Sequence, residues 1–519
     1  MGLGMVATAG AGVVSLAAMM NPASAHADDG NVGLVIGGSG VPIPGSEYVY
    51  AADQLYLENG PNGVPTYPDI TSFYLGTPAT LTDPLAPFGP GLFTPEGLFP
   101  LGSAGVNQLL LNYPTDPNGF PDLSSSVGQG MDILEKTIAA DTANGDVSTV
   151  FGYSQSATIA SYVMQQLDPS GAPQTGPLAP QFLLIGDPSN PNGGILERFA
   201  GFETTTGHTV SDPLSLPSLG FVFDSSTPSD DYVTNIYSLE YDGFTDFPRY
   251  PLNFLSDLNA FLGIADIHGT YLNGLVPGNG GPTPEQIADA ILLPGSAADS
   301  TTDSLTNYYM IDDTAPLVSL LPTQLQELLG PDLTYLINLG YGDGTLGYSV
   351  DADSPANVDT PFGLGPDVSL STVLSTLATD TEDGIQNLMS GTDPYSAASA
   401  GVDSASSGQS VTDLLTALEA DAANPAASLT DFVNALSSAG STLSGMFLSL
   451  TDITNALLTS APSYELGLFT DNIATGDYTD AFGLPVAADT ALNTLAAGFG
   501  YEVITNALTQ ISADFSGLF

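Results

Sequence analysis

Cysteine and tryptophan are absent from this sequence of 519 residues, and histidine occurs only 3 times. The lack of cysteine excludes disulfide bonds, thiolate catalysis and metal sites with sulfur ligands. Three histidines are also too few to make a zinc site of imidazoles easy to build. We therefore expect no metal centre and no cofactor, and we expect burial and hydrogen bonds to stabilise the fold.

Basic residues are nearly absent too, with 3 lysines and arginines against 57 acidic residues and a formal net charge of −54. They are Lys136, Arg198 and Arg249, and no basic residue follows Arg249. A surface of this sign repels phosphate backbones and anionic lipid head groups. We therefore do not expect a nucleic acid as a partner, nor a substrate that several cations must clamp.

Long apolar runs are missing after the N-terminal region, so no transmembrane helix is expected. Residues 1–27 have the pattern of an export signal, because Met5–Met20 is uncharged and apolar and Ala25-His26-Ala27 forms a small-x-small cleavage site. The usual cationic start of a signal is lacking, so either translation starts further upstream or the signal is atypical. The pattern predicts a protein that is secreted or held in the cell envelope.

Strand-like and helix-like segments alternate over much of the chain. Four short apolar runs predict buried strands, two segments with helical spacing predict helices, and a segment rich in Pro and Gly predicts surface loops. The strands are 32–36, 147–151, 182–185 and 233–239, the helices are 124–143 and 157–167, and the loops are 60–105. Strands that alternate with helices favour a parallel sheet with right-handed crossovers.

After about residue 370 the composition changes, and Ser, Thr, Ala and Asp dominate. Leucines at helical spacing predict amphipathic helices in this region. These helices are 411–418, 429–436, 443–458, 487–497 and 503–511. We therefore divide the chain into the signal-like segment 1–27, an α/β domain at 28–370 and an acidic helical extension at 371–519, for which a partly disordered tail is the alternative.

Ser154 lies where a predicted strand meets a predicted helix, in Gly152-Tyr153-Ser154-Gln155-Ser156. This G-x-S-x-S pattern is a form of the nucleophile elbow. The turn is sharp, so only small residues fit two positions before and after the serine. The helix that follows points its N-terminus at the site and favours a developing oxyanion. An ordinary strand-to-helix turn with a capping serine is the alternative.

A serine nucleophile needs a base, and the histidines are the candidates. His26 lies in the export segment, and His208 lies among polar residues that predict a loop. His268 follows an apolar segment and precedes Gly269. Elimination therefore favours His268, with His208 second.

The third member of a triad orients the imidazole and stabilises its cation. Asp242, Asp246 and Asp187 follow predicted strands between Ser154 and His268, and we rank them in that order. For each aspartate the alternative is a solvated surface charge or a turn residue, because acidic residues are numerous in this chain.

The oxyanion hole of such a site uses two backbone N–H groups. One belongs to the residue after the nucleophile, Gln155. The other belongs to a loop after an early strand, for which we assign Gly38 and Ser39 of the segment Gly37-Gly38-Ser39-Gly40. No G-K-[ST] follows these glycines, so phosphate binding is not predicted.

These segments resemble the PE-PPE domain of mycobacteria and related actinobacteria, a family of serine α/β-hydrolases related to cutinases. The matching pieces are residues 35–42, 152–156, 186–188, 191–195, 198–199, 241–248, 268 and 338–342, within about residues 32–365. The signal-like segment stands where that family carries a PE or PPE helical module, and residues 371–519 match no known part of it. The resemblance supports Ser154 and His268 directly, and Asp242 or Asp246 less decisively.

The resemblance implies an α/β-hydrolase fold, with a central, mostly parallel sheet flanked by helices. It also implies a secreted esterase or lipase that acts on acyl esters or lipids through an acyl-enzyme. One alternative is an acyltransferase that moves acyl groups onto envelope glycolipids of the trehalose type. Two others are a catalytically silent envelope or binding protein on a hydrolase scaffold, and a structural surface protein dominated by its acidic extension.

Overall fold

The computed structural model describes most of the chain outside the N-terminal region. The described residues are 31–38, 44, 46–57, 71–74, 126–199, 215–216, 221–223, 226–276, 278–299, 303–390 and 429–516. The signal-like segment 1–27, Ser39, His208 and the predicted helix at 411–418 lie outside these residues. For them, the expectations from the sequence stay predictions.

The described strands form one large sheet and one small pair. They are β1 (Asn31–Val35), β2 (Thr71–Tyr74), β3 (Val147–Tyr153), β4 (Gln181–Ile185), β5 (Ser215–Leu216), β6 (Phe221–Val222), β7 (Thr234–Leu239), β8 (Ile291–Leu292) and β9 (Thr306–Ile311). The large sheet has 7 strands in the order β2-β1-β3-β4-β7-β9-β8. All of its pairings are parallel except that of β8 with β9. The predicted mostly parallel sheet is therefore confirmed.

Helices flank this sheet and continue beyond it. The described α-helices are α1 (Ser46–Ala52), α2 (Ser126–Asn144), α3 (Gln155–Leu167), α4 (Ile195–Arg198), α5 (Phe254–Asp266), α6 (Pro284–Ala288), α7 (Pro316–Ser319), α8 (Thr323–Asn338), α9 (Leu370–Ser390), α10 (Leu429–Leu458), α11 (Ser460–Thr475) and α12 (Tyr478–Ser516). A π-helical turn, Asp53–Leu57, follows α1, and a 3-10 turn, His268–Thr270, follows α5. The C-terminal region is helical, as predicted.

Two details differ from the sequence predictions. Thr71–Tyr74 is strand β2 within the segment predicted as surface loops, because it pairs with β1 at the edge of the sheet. The separate helices predicted at 429–436 and 443–458 are one helix, α10, and those at 487–497 and 503–511 both belong to α12. No proline lies between the predicted segments, so the backbone hydrogen bonds of each long helix continue through the residues that join them.

The central strands are buried on both faces, which explains their continuous apolar sequences. In β3, Val150 contributes to the core on one face of the sheet and Phe151 to the core on the other. The first core includes the apolar sides of α2 and α3. The second includes Tyr56, Tyr271 and Tyr341, which are all fully buried. The site at the end of β3 therefore rests on a rigid, packed sheet.

A third apolar core joins the C-terminal helices to the α/β region. Gly498 of α12 lies against α5, and a Cβ at this position would come within 2.3 Å of the Phe261 ring. The ring of Phe499 lies 6.1 Å from that of Phe261 and 6.3 Å from that of Phe244. Glycine thus allows the close approach of the two helices, and the aromatic rings fill the contact.

Arg198, one of the few cations of the chain, is fully buried. Its guanidinium donates to Phe247 O at 3.0 Å and to Asn192 Oδ1 at 3.1 Å. It also donates to Thr360 O and Ser349 Oγ. One side chain therefore joins its own segment to the distant residues Phe247, Ser349 and Thr360.

Replacement of Arg198 should destabilise the fold strongly. Arg198→Met leaves several buried acceptors without a donor, so we expect the free energy of unfolding to fall by about 2–3 kcal/mol or more. Chemical denaturation measures the change. Lys136→Met is the control, because Lys136 is 61% exposed and pairs only with Asp132 one helical turn away. That variant should lose less than about 0.5 kcal/mol. Equal losses in the two variants would contradict the role of Arg198.

Several buried carboxyl groups have raised pKa values, and Asp257 and Asp187 are two of them. Burial raises the pKa of Asp257 to about 8, and neither of its carboxyl oxygens has a hydrogen-bond partner among the described residues. Burial also raises the pKa of Asp187 to about 6, against the hydrogen bonds from Thr227 and Ser189 that lower it. Both values exceed the pKa of about 4 that aspartate has in an unfolded chain.

The raised pKa values make the fold less stable as the pH rises. Between about pH 4 and pH 8 the folded protein holds protons on these groups that the unfolded chain has lost, so the free energy of unfolding decreases with rising pH. We expect the melting temperature to fall steadily from pH 5 to pH 8. Asp257→Asn should flatten the upper part of this decline, whereas Asp303→Asn, at an exposed position, should not. A melting temperature that rises over this range would refute the assignment.

Candidate active site

Ser154 is the single residue between strand β3 and helix α3. Its φ of 58° and ψ of −120° lie in a region that residues other than glycine rarely adopt. The turn is tight enough to exclude side chains from position 152, where a Cβ would lie 2.8 Å from Ser156 O and 3.0 Å from the Ala157 backbone. This is the geometry that the G-x-S-x-S pattern predicts for an elbow.

The second serine of the pattern stabilises the turn. The Ser156 hydroxyl accepts a hydrogen bond from Tyr153 N–H at 2.7 Å and donates to Tyr153 O at 3.0 Å or Ile36 O at 3.2 Å. Ile36 directly follows strand β1, so this hydroxyl links the loop after β1 to the elbow. Glycine at position 156 would fit the turn but would lack this link.

The structure brings His268 and Asp242 to Ser154 in a continuous chain of hydrogen bonds. His268 Nε2 lies 2.7 Å from Ser154 Oγ, and His268 Nδ1 lies 2.8 Å from Asp242 Oδ2. All three residues are at most 5% exposed. Asp242 sits in the turn after β7, and His268 begins the 3-10 turn after α5. A Cβ on Gly186 would lie 3.1 Å from His268 Cε1, so glycine leaves room for the imidazole.

The two alternative acids have other partners. Asp187 accepts hydrogen bonds from Thr227 Oγ1 at 2.6 Å and from Ser189 N–H at 3.0 Å. Asp246 accepts a hydrogen bond from Tyr241 N–H at 3.0 Å, and burial raises its pKa well above the ordinary value. Among these three aspartates, the imidazole is hydrogen-bonded to Asp242.

The residues assigned to the oxyanion hole are only partly within the described chain. Gly38 is buried beside the elbow, where its Cβ would lie 3.2 Å from Tyr153 O and 3.5 Å from Ser154 Cβ. Gln155 is the first residue of α3 and is also buried, so its N–H belongs to the first turn of that helix. Both therefore lie next to Ser154, whereas Ser39 lies outside the described residues.

Three aromatic residues around the imidazole were not identified from the sequence. Tyr153 OH donates to His268 O. The Phe244 ring meets the imidazole edge-to-face at 4.5 Å, and Phe244 N–H donates to Asp242 Oδ1 at 3.1 Å. Tyr271 OH donates to Asp242 Oδ2 at 2.9 Å. Tyr153 and Phe244 lie within motifs that the sequence already singled out, but no local pattern distinguishes such contacts from ordinary core packing.

Neither metal ligation nor membrane insertion is indicated in the described part of the chain. It contains no group of three or more His, Cys, Asp or Glu side chains that could hold a metal ion. None of its helices combines the length and apolar content that crossing a bilayer requires. The hydrogen-bonded side chains at the site present a hydroxyl, an imidazole and a carboxylate.

The tight elbow predicts that a side chain at position 152 destabilises the protein. Gly152→Ala forces a methyl group against the backbone of residues 156 and 157, so it should destabilise the protein by about 1–3 kcal/mol. Gly176→Ala is the control, because a Cβ there meets nothing within 4 Å. Thermal unfolding of both variants measures the difference. If the two variants unfolded at the same temperature, position 152 would not be as crowded as the structure shows.

Comparison with known proteins identifies the family to which this sequence belongs. Residues 89–342 match the PE-PPE domain. The PPE family protein PPE28 of Mycobacterium tuberculosis is 36% identical in an alignment of 511 residues that covers 94% of this chain and 67% of that protein. Esterase PE16 of the same species is 34% identical in an alignment of 364 residues that covers 67% of this chain and 55% of that protein.

A solved structure of a cutinase-like protein from Cryptococcus sp. is matched with a TM-score of 0.22 and 17% identity, over 42% of this chain and 78% of that one.

The alignment with PPE28 extends into the C-terminal helical region, which matched no known part of the family at the level of short motifs. On the strength of the domain match and of these relatives, the chain belongs to the PE-PPE domain family of mycobacterial PE and PPE proteins.

Proposed function

We propose that this protein is a serine carboxylic-ester hydrolase in which Ser154 is the nucleophile, His268 the general base and Asp242 the orienting acid. The observation that carries the proposal is the chain of two short hydrogen bonds, 2.7 Å and 2.8 Å, that starts at a serine held on a strained elbow. A relative named as an esterase, 34% identical, supports the same class of reaction.

The first half of the reaction would form an acyl-enzyme. His268 Nε2 accepts the Ser154 proton as the hydroxyl attacks the ester carbonyl, and Asp242 stabilises the imidazolium through Nδ1. Negative charge develops on the carbonyl oxygen, where backbone N–H groups of Gln155 and of the Gly38–Ser39 segment would receive it. The imidazolium then protonates the departing alcohol as the carbon–oxygen bond breaks.

The second half would release the acyl group. His268 takes a proton from a water molecule as the water attacks the acyl carbonyl, and it returns that proton to Ser154 as the carboxylic acid leaves. Attack by an alcohol in place of water would give acyl transfer. An assay that supplies both acceptors separates the two outcomes by their products.

Charge limits the class of substrate. The chain carries 57 acidic residues against 3 lysines and arginines, so an anionic ester would approach against a repulsive field. A neutral acyl ester or an uncharged lipid ester fits this field better. Export through residues 1–27 and association with the cell envelope remain predictions from the sequence.

Substitution of each triad member should separate chemistry from folding. We expect Ser154→Ala to abolish both labelling by a fluorophosphonate probe and turnover of short p-nitrophenyl esters. His268→Ala should reduce turnover nearly as far, and Asp242→Asn should reduce it by about 10⁴-fold, because the imidazole loses its orientation and its counter-charge. Circular dichroism should show that all three variants are folded.

Asp187→Asn is the matched control, because Asp187 is equally buried and also follows a strand, but its carboxylate is hydrogen-bonded to Thr227 and Ser189, whereas the imidazole is hydrogen-bonded to Asp242. Its activity per folded molecule should stay within about tenfold of the wild type. Undiminished labelling of Ser154→Ala, or equal losses in Asp187→Asn and Asp242→Asn, would overturn the assignment.

A further inference from the structure

Tyr271 contacts the acid of the triad at the carboxylate oxygen that His268 also contacts. It directly follows the 3-10 turn that begins with His268, and it is fully buried. Its hydroxyl donates to Asp242 Oδ2 at 2.9 Å, and His268 Nδ1 contacts the same oxygen at 2.8 Å. One oxygen atom of the acid is therefore hydrogen-bonded to both the imidazole and the phenol.

The phenol is itself held firmly in place. Its oxygen accepts a hydrogen bond from Leu239 N–H at 2.8 Å, at the end of strand β7. The carbonyl of Tyr271 accepts a hydrogen bond from Tyr56 OH at 3.1 Å. Since the Leu239 N–H occupies a lone pair of the phenol oxygen, the phenol proton is directed at Asp242.

The phenol also keeps its proton at neutral pH. Burial and the nearby charge of Asp242 raise the pKa of Tyr271 well above its ordinary value. Tyr271 is consequently a neutral donor to a carboxylate, which is the stronger kind of hydrogen bond. The other oxygen of Asp242 accepts a hydrogen bond from Phe244 N–H, so hydrogen bonds at both oxygens fix the orientation of the carboxylate.

We propose that Tyr271 is a positioning residue that holds Asp242 in register with His268 and moderates how strongly Asp242 attracts the proton of the imidazole. The inference rests on the proposed function, because it assigns Tyr271 a part in the same triad. A hydrogen-bond donor stabilises the negative charge of the carboxylate, and this weakens the attraction between the carboxylate and the imidazolium. Loss of the hydroxyl should thus make the imidazole hold its proton to higher pH.

The surroundings of the imidazole leave few other groups that could produce such a change. Ser154 and Asp242 are hydrogen-bonded to the ring, and the titratable rings beside it are Tyr153, at 5.5 Å, and Tyr271, at 6.2 Å. The Phe244 ring also contacts the imidazole, and it does not titrate.

The test compares Tyr271→Phe with Tyr341→Phe. Tyr341 is also fully buried and belongs to the same apolar core, and its hydroxyl has no hydrogen-bond partner among the described residues, so it is the matched control. The rate of fluorophosphonate labelling is measured against pH. For Tyr271→Phe we expect the plateau rate to fall about tenfold, as for the loss of one hydrogen bond to a charged group. The acidic limb should move to higher pH by about half a unit or more, and Tyr341→Phe should match the wild type.

A second measurement does not depend on reaction at Ser154. In a Ser154→Ala background, the ring protons of His268 are titrated by NMR, where a chain with only 3 histidines gives few signals. Tyr271→Phe should move the midpoint upward. Incorporation of a fluorinated tyrosine at position 271, a stronger donor that keeps the hydroxyl, should move it downward even if Tyr271→Phe folds poorly.

The outcomes separate the two proposals. No labelling of the wild type would overturn the proposed function, while the NMR titration would still test the contact between Tyr271 and Asp242. If the wild type is labelled but the pH profile of Tyr271→Phe is like that of Tyr341→Phe, the role of Tyr271 is overturned and the proposed function is not. Unchanged NMR midpoints in both modified proteins would do the same.

Discussion

The turn at Ser154 is the constraint on which the rest of the site depends. A single residue joins strand β3 to helix α3, with φ at 58°, and the surrounding packing must hold it there. The strand is buried on both sides, the position two residues earlier has no room for a side chain, and the Ser156 hydroxyl links the turn to the segment after β1. These contacts fix the position of the Ser154 hydroxyl, which is the preorganisation that its proposed role as nucleophile requires.

The parallel sheet explains why the partners meet there. Strands β1, β3, β4 and β7 end at the same edge, so the turns that follow them converge on one region. The Gly38 segment, the elbow, Gly186 and Asp242 each follow one of these strands. His268 and Tyr271 reach the same region from the end of helix α5, whose outer side packs against α12. The C-terminal helices thus share a core with the ring that covers the imidazole, Phe244.

The sequence predicted the parts of this arrangement that depend on local or scarce features. The elbow has a local pattern, and the scarcity of histidine left His268 as the favoured base. Asp242 could only be ranked among three aspartates, because the direction of each side chain depends on the turn after its strand. Tyr271 and the Ser156 hydroxyl act through contacts across the fold, which no spacing along the chain reveals. The strand Thr71–Tyr74 was missed because it lies within a segment rich in Pro and Gly, although Thr, Phe and Tyr themselves favour strands.

The most direct test of the account is a crystal structure of the protein after reaction with a fluorophosphonate. The account predicts that phosphorus is bonded to Ser154 Oγ, with the phosphonyl oxygen within hydrogen-bond distance of the Gln155 and Gly38–Ser39 backbone N–H groups and with His268 Nε2 beside the adduct. An adduct on another side chain would contradict it. So would an unmodified Ser154 in fully folded protein after prolonged exposure to the probe.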